Sequence, residues 1–223
     1  MSKIPVIVTA SEHAYTILKQ WILSGELAPG EKIDQDAVAA KLGVSKMPVR
    51  SALEKLAAQD LIVLHSHRGA TVSTLSAEHL DDIYLVRCQL EGLAVKLATE
   101  LLTPEDVHAL NGMIQEQEEL AKHPNPDTEE ILVANREFHM LIYRLAKRPV
   151  LMSIIERLWE QSERYRRILL VQPGMLDGST SEHRHLVELM SQQKAEEASQ
   201  FLVEHNRKTQ KVVLGVMEIE QKT

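Results

Sequence analysis

A mainly α-helical fold is what the sequence predicts: an N-terminal winged helix-turn-helix over residues 1–75, then an all-α bundle of about six helices over 76–223. Three observations predict it. Residues 34–57 read as two short helices joined at Gly43. Two short β-prone runs, 61–65 and 70–73, follow directly. Everything after Ser76 carries apolar residues at helical spacing, punctuated by caps, prolines and glycines.

Residues 1–9 read as a loose arm, and a first helix is expected from Ser11 to Leu23 with Tyr15, Leu18 and Ile22 inward. The Pro29-Gly30 turn leads to a helix capped by Asp34, with Ala37, Val38 and Leu42 as its apolar positions. Gly43 falls where a helix ends in a left-handed residue, which glycine adopts at little cost. Ser45 is expected to cap the next helix through its hydroxyl, and Pro48 sits in the first turn, where no intrahelical donor is lost. Val49, Leu53 and Leu56 form the buried stripe, while Lys46 and Arg50, four apart, project together from another face. A helical hairpin with a solvated basic face would look the same up to this point. The hairpin that follows, with Ser66, His67, Arg68 and Gly69 at its turn, makes the segment a winged helix whose second helix would enter the major groove of double-stranded DNA.

These residues resemble a known family. Leu27-Ala28-Pro29-Gly30-Glu31-Lys32-Ile33, then Leu42 to Arg50, then Arg68-Gly69-Ala70, are similar to the winged helix of GntR-type bacterial transcription regulators. The resemblance implies that Ser45, Lys46, Met47 and Arg50 face DNA, with His67, Arg68 and Gly69 of the wing helping. Two positions depart from it: many relatives carry arginine where this chain has Lys46, and a base-contacting arginine where it has Asp36. Lysine does not reproduce the bidentate fork of arginine on guanine, so the operator sequence does not carry over.

Composition sets bounds. With 44% apolar and 26% charged residues the chain is ordinary for a soluble globular protein. No run is long and apolar enough to span a bilayer, and Met1 to Ala10 is too weak for a secretory signal. The single cysteine, Cys88, excludes an intrachain disulfide and suits a reducing cytoplasm. The net charge of −7, taken over the whole chain, argues against a nucleic-acid partner. Residues 1–74, however, hold 8 Lys/Arg against 7 Asp/Glu, a net of +1, so the acidity belongs to the rest, at −8.

The bundle helices are expected at about 77–101, from Thr103-Pro104, at 128–146, from Arg148-Pro149, from the capping box Ser179-Thr180-Ser181-Glu182, and at 194–219. A loop is expected through Gln172-Pro173-Gly174 and Gly178. Polar residues interrupt the apolar stripes: Arg87 in the first helix, Asn135 and His139 in the third, Ser162 and Tyr165 in the fourth, His183 in the fifth, His205 in the sixth, in line with Thr209 and Val212. Buried polar groups need partners, so these interruptions should meet. A single histidine in such a place is usually a satisfied core residue. Three on three helices fit a mutually satisfied polar core or, equally, a divalent metal ion held with one oxygen donor.

The bundle resembles the effector-binding (FCD) domain of the FadR-type subgroup of the same regulators, through Tyr84-x-x-Arg87-x-x-x-Glu91, Asn135-x-x-Phe138-His139, Glu182-His183 and Glu204-His205. The resemblance implies a metal, zinc or nickel, on His139, His183 and His205, with an aspartate usual at the place of Asn135. It implies a pocket for a small carboxylate effector lined by Arg87 within the Tyr84, Arg87, Glu91 motif, and the stripe of the fourth helix is expected to bring Ser162 and Tyr165 within reach of it. It also implies a cytoplasmic homodimer acting on DNA as a ligand-responsive regulator, a repressor released or modulated by its effector, and not an enzyme. Two alternatives come from other classes. One is a helical metal-dependent hydrolase with an accessory winged helix, which the lack of a His-Glu-x-x-His pair disfavours. The other is a winged helix that binds protein.

Overall fold

A computed structural model describes residues 9–65, 69–123, 127–166 and 175–220. The chain divides into two compact units, 1–76 and 77–223.

In the first unit, α1 (Ala10–Ser24) opens on a capping box in which Thr9 and Glu12 satisfy each other's backbone amides. It buries Ala14, Leu18 and Ile22. Strand β1 (Lys32–Ile33) precedes α2 (Gln35–Leu42). Asp34 accepts from the amides of Asp36 and Ala37, at 2.8 and 3.2 Å, as a helix cap should. Gly43 ends α2 at φ 66°, its N–H returning to the Ala39 and Ala40 carbonyls. Val38 is buried and Leu42 packs against the core as expected, while Ala39 is buried in place of the exposed Ala37.

Helix α3 (Lys46–Ala57) buries Val49, Ala52, Leu53 and Leu56 completely. Ser45 takes the extended backbone of a cap residue, but its hydroxyl makes no capping bond. The expectation fails for a local reason: Pro48 is the third helical residue, and its missing N–H is the donor a capping serine commonly engages. Strands β2 (Ile62–His65) and β3 (Gly69–Val72) form the antiparallel wing, pairing Ile62 with Val72 and His65 with Gly69. Strand β1 pairs with the other edge of β3, placing Ile33 opposite Ala70. That strand, two residues long, carries no periodicity a sequence could show.

The second unit holds six helices among the described residues: α4 (Ala77–Leu101), α5 (Pro104–Lys122), α6 (Thr128–Leu145), α7 (Pro149–Arg166), α8 (Met175–Ser191) and α9 (Ala195–Glu220). Thr103 and Asp106 form the capping box expected for α5, with Pro104 first in the helix. Asp127 caps α6 through the Glu129 amide. The expected start of α8 is overturned. The helix begins at Met175, so Gly178 and Ser179 to Glu182 lie inside it. With a preceding turn already supplying carbonyls to those amides, the box has no orphan donors to satisfy. Glu182 reaches α9 instead.

The core gathers Val95, Leu110, Ile114, Phe138, Ile142, Ile155, Trp159, Leu186, Met190 and Leu202 from all six helices. Helix α4 packs along α9 at Gly92, where a Cβ would lie 3.0 Å from Ser199 Oγ and 3.1 Å from Val203 Cγ2. Toward the end of α9 the buried residues are Val213 and Met217, and not the expected Val212. No described helix is long and apolar enough to cross a membrane.

Candidate functional site

Three helices bring His139 (α6), His183 (α8) and His205 (α9) together, with their ligand-capable atoms within 4.8 Å of one another. His139 and His183 are 1% exposed. Their hydrogen bonds fix which ring nitrogen carries the proton. Gln117 Nε2–H donates to the Ala134 carbonyl at 3.2 Å, which turns Oε1 toward His183 Nδ1 at 2.9 Å. His183 must donate from Nδ1, leaving the lone pair on Nε2. Tyr143 O–H donates to Glu91 Oε2 at 2.6 Å, so the phenol oxygen accepts from His139 Nδ1 at 3.3 Å. His205 Nδ1–H donates to Glu182 Oε2 at 2.6 Å.

With the three imidazoles neutral, these bonds leave the lone pair on Nε2, and the Nε2 atoms of His139 and His183 stand 3.2 Å apart. Two lone pairs at that distance repel unless a proton or a cation lies between them. Neutral imidazoles, each held by a second partner through the other nitrogen, are the donor set a divalent metal takes. The residues present thus fit such an ion, and His139, His183 and His205 would hold it. Asn135 lies one turn before His139 on the same face of α6 and is 9% exposed. Glu182, held by His205 and also bonded to Lys208, has its pKa lowered to about 2.

Next to the histidines is a buried polar network. Arg87 (2% exposed) and Glu91 (0%) occupy consecutive turns of α4. Arg87 Nε–H donates to Glu91 Oε1 at 2.6 Å and Nη1–H to Ser162 Oγ at 2.8 Å. Asn206 Nδ2–H donates to Glu91 Oε2 at 2.8 Å. The guanidinium carbon sits 4.7 Å from the Tyr84 ring centroid and 4.4 Å from that of Trp159. Burial opposes the charge on Arg87, but Glu91 more than restores it, and the pKa lies above its ordinary value. Glu91 neutralises Arg87, so the guanidinium by itself leaves no net positive charge here. Tyr165 is buried too, its ring tilted toward His79 at 6.5 Å.

In the first unit Lys46, Met47 and Arg50 are exposed on the N-terminal turns of α3, Met47 to 71%. Lys46 Nζ pairs with Asp36 at 2.7 Å and Arg50 Nε with Glu54 at 3.1 Å. Gly69 opens β3 at φ 88°. His67 and Arg68 lie outside the described residues.

The sequence reading missed Gln117, Tyr143 and Asn206. Gln117 could have been found, since it follows Leu110 and Ile114 at 4-3 spacing and interrupts the stripe of α5. Tyr143 stands one turn after His139, and Asn206 directly follows His205.

A winged helix-turn-helix joined in one chain to a helical unit with a buried cluster of histidines and a buried arginine–glutamate pair defines a class, the ligand-responsive DNA-binding transcription regulators. Comparison with known proteins gives the family. Residues 10–72 match the bacterial regulatory proteins of the gntR family, and residues 82–208 match the FCD domain. The chain belongs to the GntR family of bacterial transcription regulators, in the branch that carries an FCD domain.

It is 28% identical to the uncharacterized HTH-type transcriptional regulator YdhC of Bacillus subtilis (strain 168), over 86% of this chain and 85% of that one. Identity to the HTH-type transcriptional regulator McbR of Escherichia coli (strain K12) is 34%, over 64% of this chain and 63% of that one. The solved structure of E. coli McbR/YncC superposes with a TM-score of 0.79 at 27% identity, covering 97% of this chain and all of that one (100%). The HTH-type transcriptional repressor GlaR of the same strain is 26% identical over 87% of this chain and 91% of its own length. The family is one of regulators, not enzymes, which leaves the hydrolase alternative without support.

Proposed function

We propose that this regulator is a cytoplasmic homodimer that represses transcription from a two-fold symmetric operator and is released or modulated by a small carboxylate. In this reading His139, His183 and His205 hold a zinc or nickel ion, with Asn135 as a weak fourth donor. Tyr84, Arg87, Glu91, Ser162 and Tyr165 form the effector pocket. The observation that carries it is the convergence of His139, His183 and His205, their ligand-capable nitrogens within 4.8 Å of one another, in the unit that buries Arg87. A divalent ion there supplies positive charge to a chamber in which the Arg87–Glu91 pair is neutral, and an anionic ligand would be attracted by that charge.

Ser45, Lys46, Met47, Arg50 and Gly69, with His67 and Arg68, are assigned to the DNA face. The exposed side chains at the start of α3 support this, since that end of a recognition helix meets base edges. Homodimerisation is supported by apolar side chains left exposed on α4 and α7, which pack on each other: Leu85 (66%), Leu93 (46%), Val150 (73%) and Ile154 (43%). Repression is supported by the similarity to the transcriptional repressor GlaR. Helix α4, which carries Arg87, begins directly after the short joint at residues 73–76. A ligand-driven shift of α4 would therefore be felt at the start of the bundle. For the coupling to be allosteric, DNA must change ligand affinity by the factor by which ligand changes DNA affinity.

The test is a binding-site selection on purified protein, with and without zinc, repeated with candidate carboxylate metabolites. A palindromic site whose occupancy responds to one carboxylate is expected. Selection of no sequence, or a site indifferent to every carboxylate in both metal states, overturns the reading.

A further inference from the structure

We propose that Glu91 is the pocket's own internal carboxylate, occupying the edge of Arg87 that an effector carboxylate needs, so that a ligand binds by displacing it. This rests on the assignment of Arg87 to the effector pocket. A guanidinium offers its best carboxylate-binding geometry along an edge, where two parallel N–H groups face two oxygens. On Arg87 that edge is taken: Nε meets Glu91 Oε1 at 2.6 Å, and Nη2 lies 3.4 Å from Oε2. Nη1 meets Ser162 Oγ, and the Tyr84 and Trp159 rings pack against the guanidinium. An incoming carboxylate that left Glu91 in place would put two negative charges against one positive charge in a site closed to water, which low dielectric makes costly.

What makes displacement feasible is the company Glu91 keeps. Tyr143 O–H at 2.6 Å and Asn206 Nδ2–H at 2.8 Å both donate to Oε2. When Arg87 turns to another anion, the Glu91 carboxylate retains two donors from α6 and α9. The exchange then has a consequence beyond the pocket, because the phenol that donates to Glu91 also accepts from His139 Nδ1. Glu91 thereby sets the threshold for anionic ligands and links the occupancy of Arg87 to the orientation of a metal-site histidine.

The test uses chelator-treated full-length protein, so that coordination to a metal contributes no signal, with acetate as carboxylate probe and acetamide as its neutral counterpart. Binding is read by ligand-observed NMR and thermal shift. Glu91→Gln keeps the shape and removes the competing charge, and acetate affinity should rise roughly tenfold or more over wild type, with acetamide little changed. Arg87→Met should abolish acetate binding in the Glu91→Gln background. Acetate affinity unchanged or weaker in Glu91→Gln, while Arg87→Met still removes it from wild type, overturns the role of Glu91 alone. Acetate binding that survives Arg87→Met, or is absent from every form, overturns the pocket assignment as well. If Glu91→Gln does not fold unaided, the readout becomes its refolding yield. Recovery in acetate but not in acetamide supports displacement, and equal or no recovery in both refutes it.

Discussion

The amide of Gln117 faces two ways, giving its N–H to the Ala134 carbonyl and its oxygen to His183, and so sets both the tautomer and the tilt of that ring. Partners of this kind typically change metal affinity 10–100-fold when lost. Gln117→Leu should therefore weaken zinc binding by roughly that factor, with little change in the melting temperature of chelated protein; competition with a chromophoric chelator measures it. His139→Ala goes further, removing a ligand outright. Wild-type protein at a zinc concentration 100 times its dissociation constant should gain about 2.7 kcal/mol of stability. The variant should gain almost none in the same melt, and elemental analysis should find little metal in it. The three histidines were legible in the sequence because burial on a helix has a period, and a polar residue at that period stands out. Glu91 was legible only through family resemblance. Its partners Tyr143 and Asn206 were not legible, because which side chains meet across three helices is decided by packing and not by spacing along any one of them.

The helix-turn-helix shows what an element can and cannot announce. Its cap at Asp34, its turn glycine and the stripe of α3 are local, and the sequence displays them. Leu53→Ala, at a fully buried position, should cost about 2–5 kcal/mol in a denaturation experiment. The pairing of Lys46 with Asp36 is not local, since it joins two helices across the turn. Both groups are well exposed, so the pair adds little to stability, but it places a carboxylate beside the cation proposed to meet DNA. Asp36→Asn should raise affinity for non-specific DNA and steepen its salt dependence by roughly one unit of slope. Arg50→Ala should cost about 1–3 kcal/mol of operator affinity at fixed salt if that side chain reads a base. The start of α8 shows the converse error. Ser179 to Glu182 carry every residue a capping box requires, but such preferences are worth only about 1 kcal/mol, and the chain was already helical there.

At the scale of the whole molecule, charge and exposed apolar surface point to different partners. The acidity confined to residues 75–223 keeps that part away from phosphates, while Leu85, Leu93, Val150 and Ile154 invite a second copy. Light scattering should give about twice the 25.2 kDa of one chain, and Leu85→Glu combined with Val150→Glu should shift it toward the monomer. The seam between α4 and α9 bears on the chamber in another way. Because α9 is seated on bare backbone at Gly92, a methyl group there would press on Ser199 and Val203, on the helix that carries His205. Gly92→Ala would favour the helical state by nearly 1 kcal/mol on propensity while wedging α9 outward by a few tenths of an ångström. Every ligand would be kept, and only their separation would change. Zinc affinity falling in a protein that melts no earlier would make Gly92 the calibration of the site, a residue that sets its dimensions without touching anything bound there.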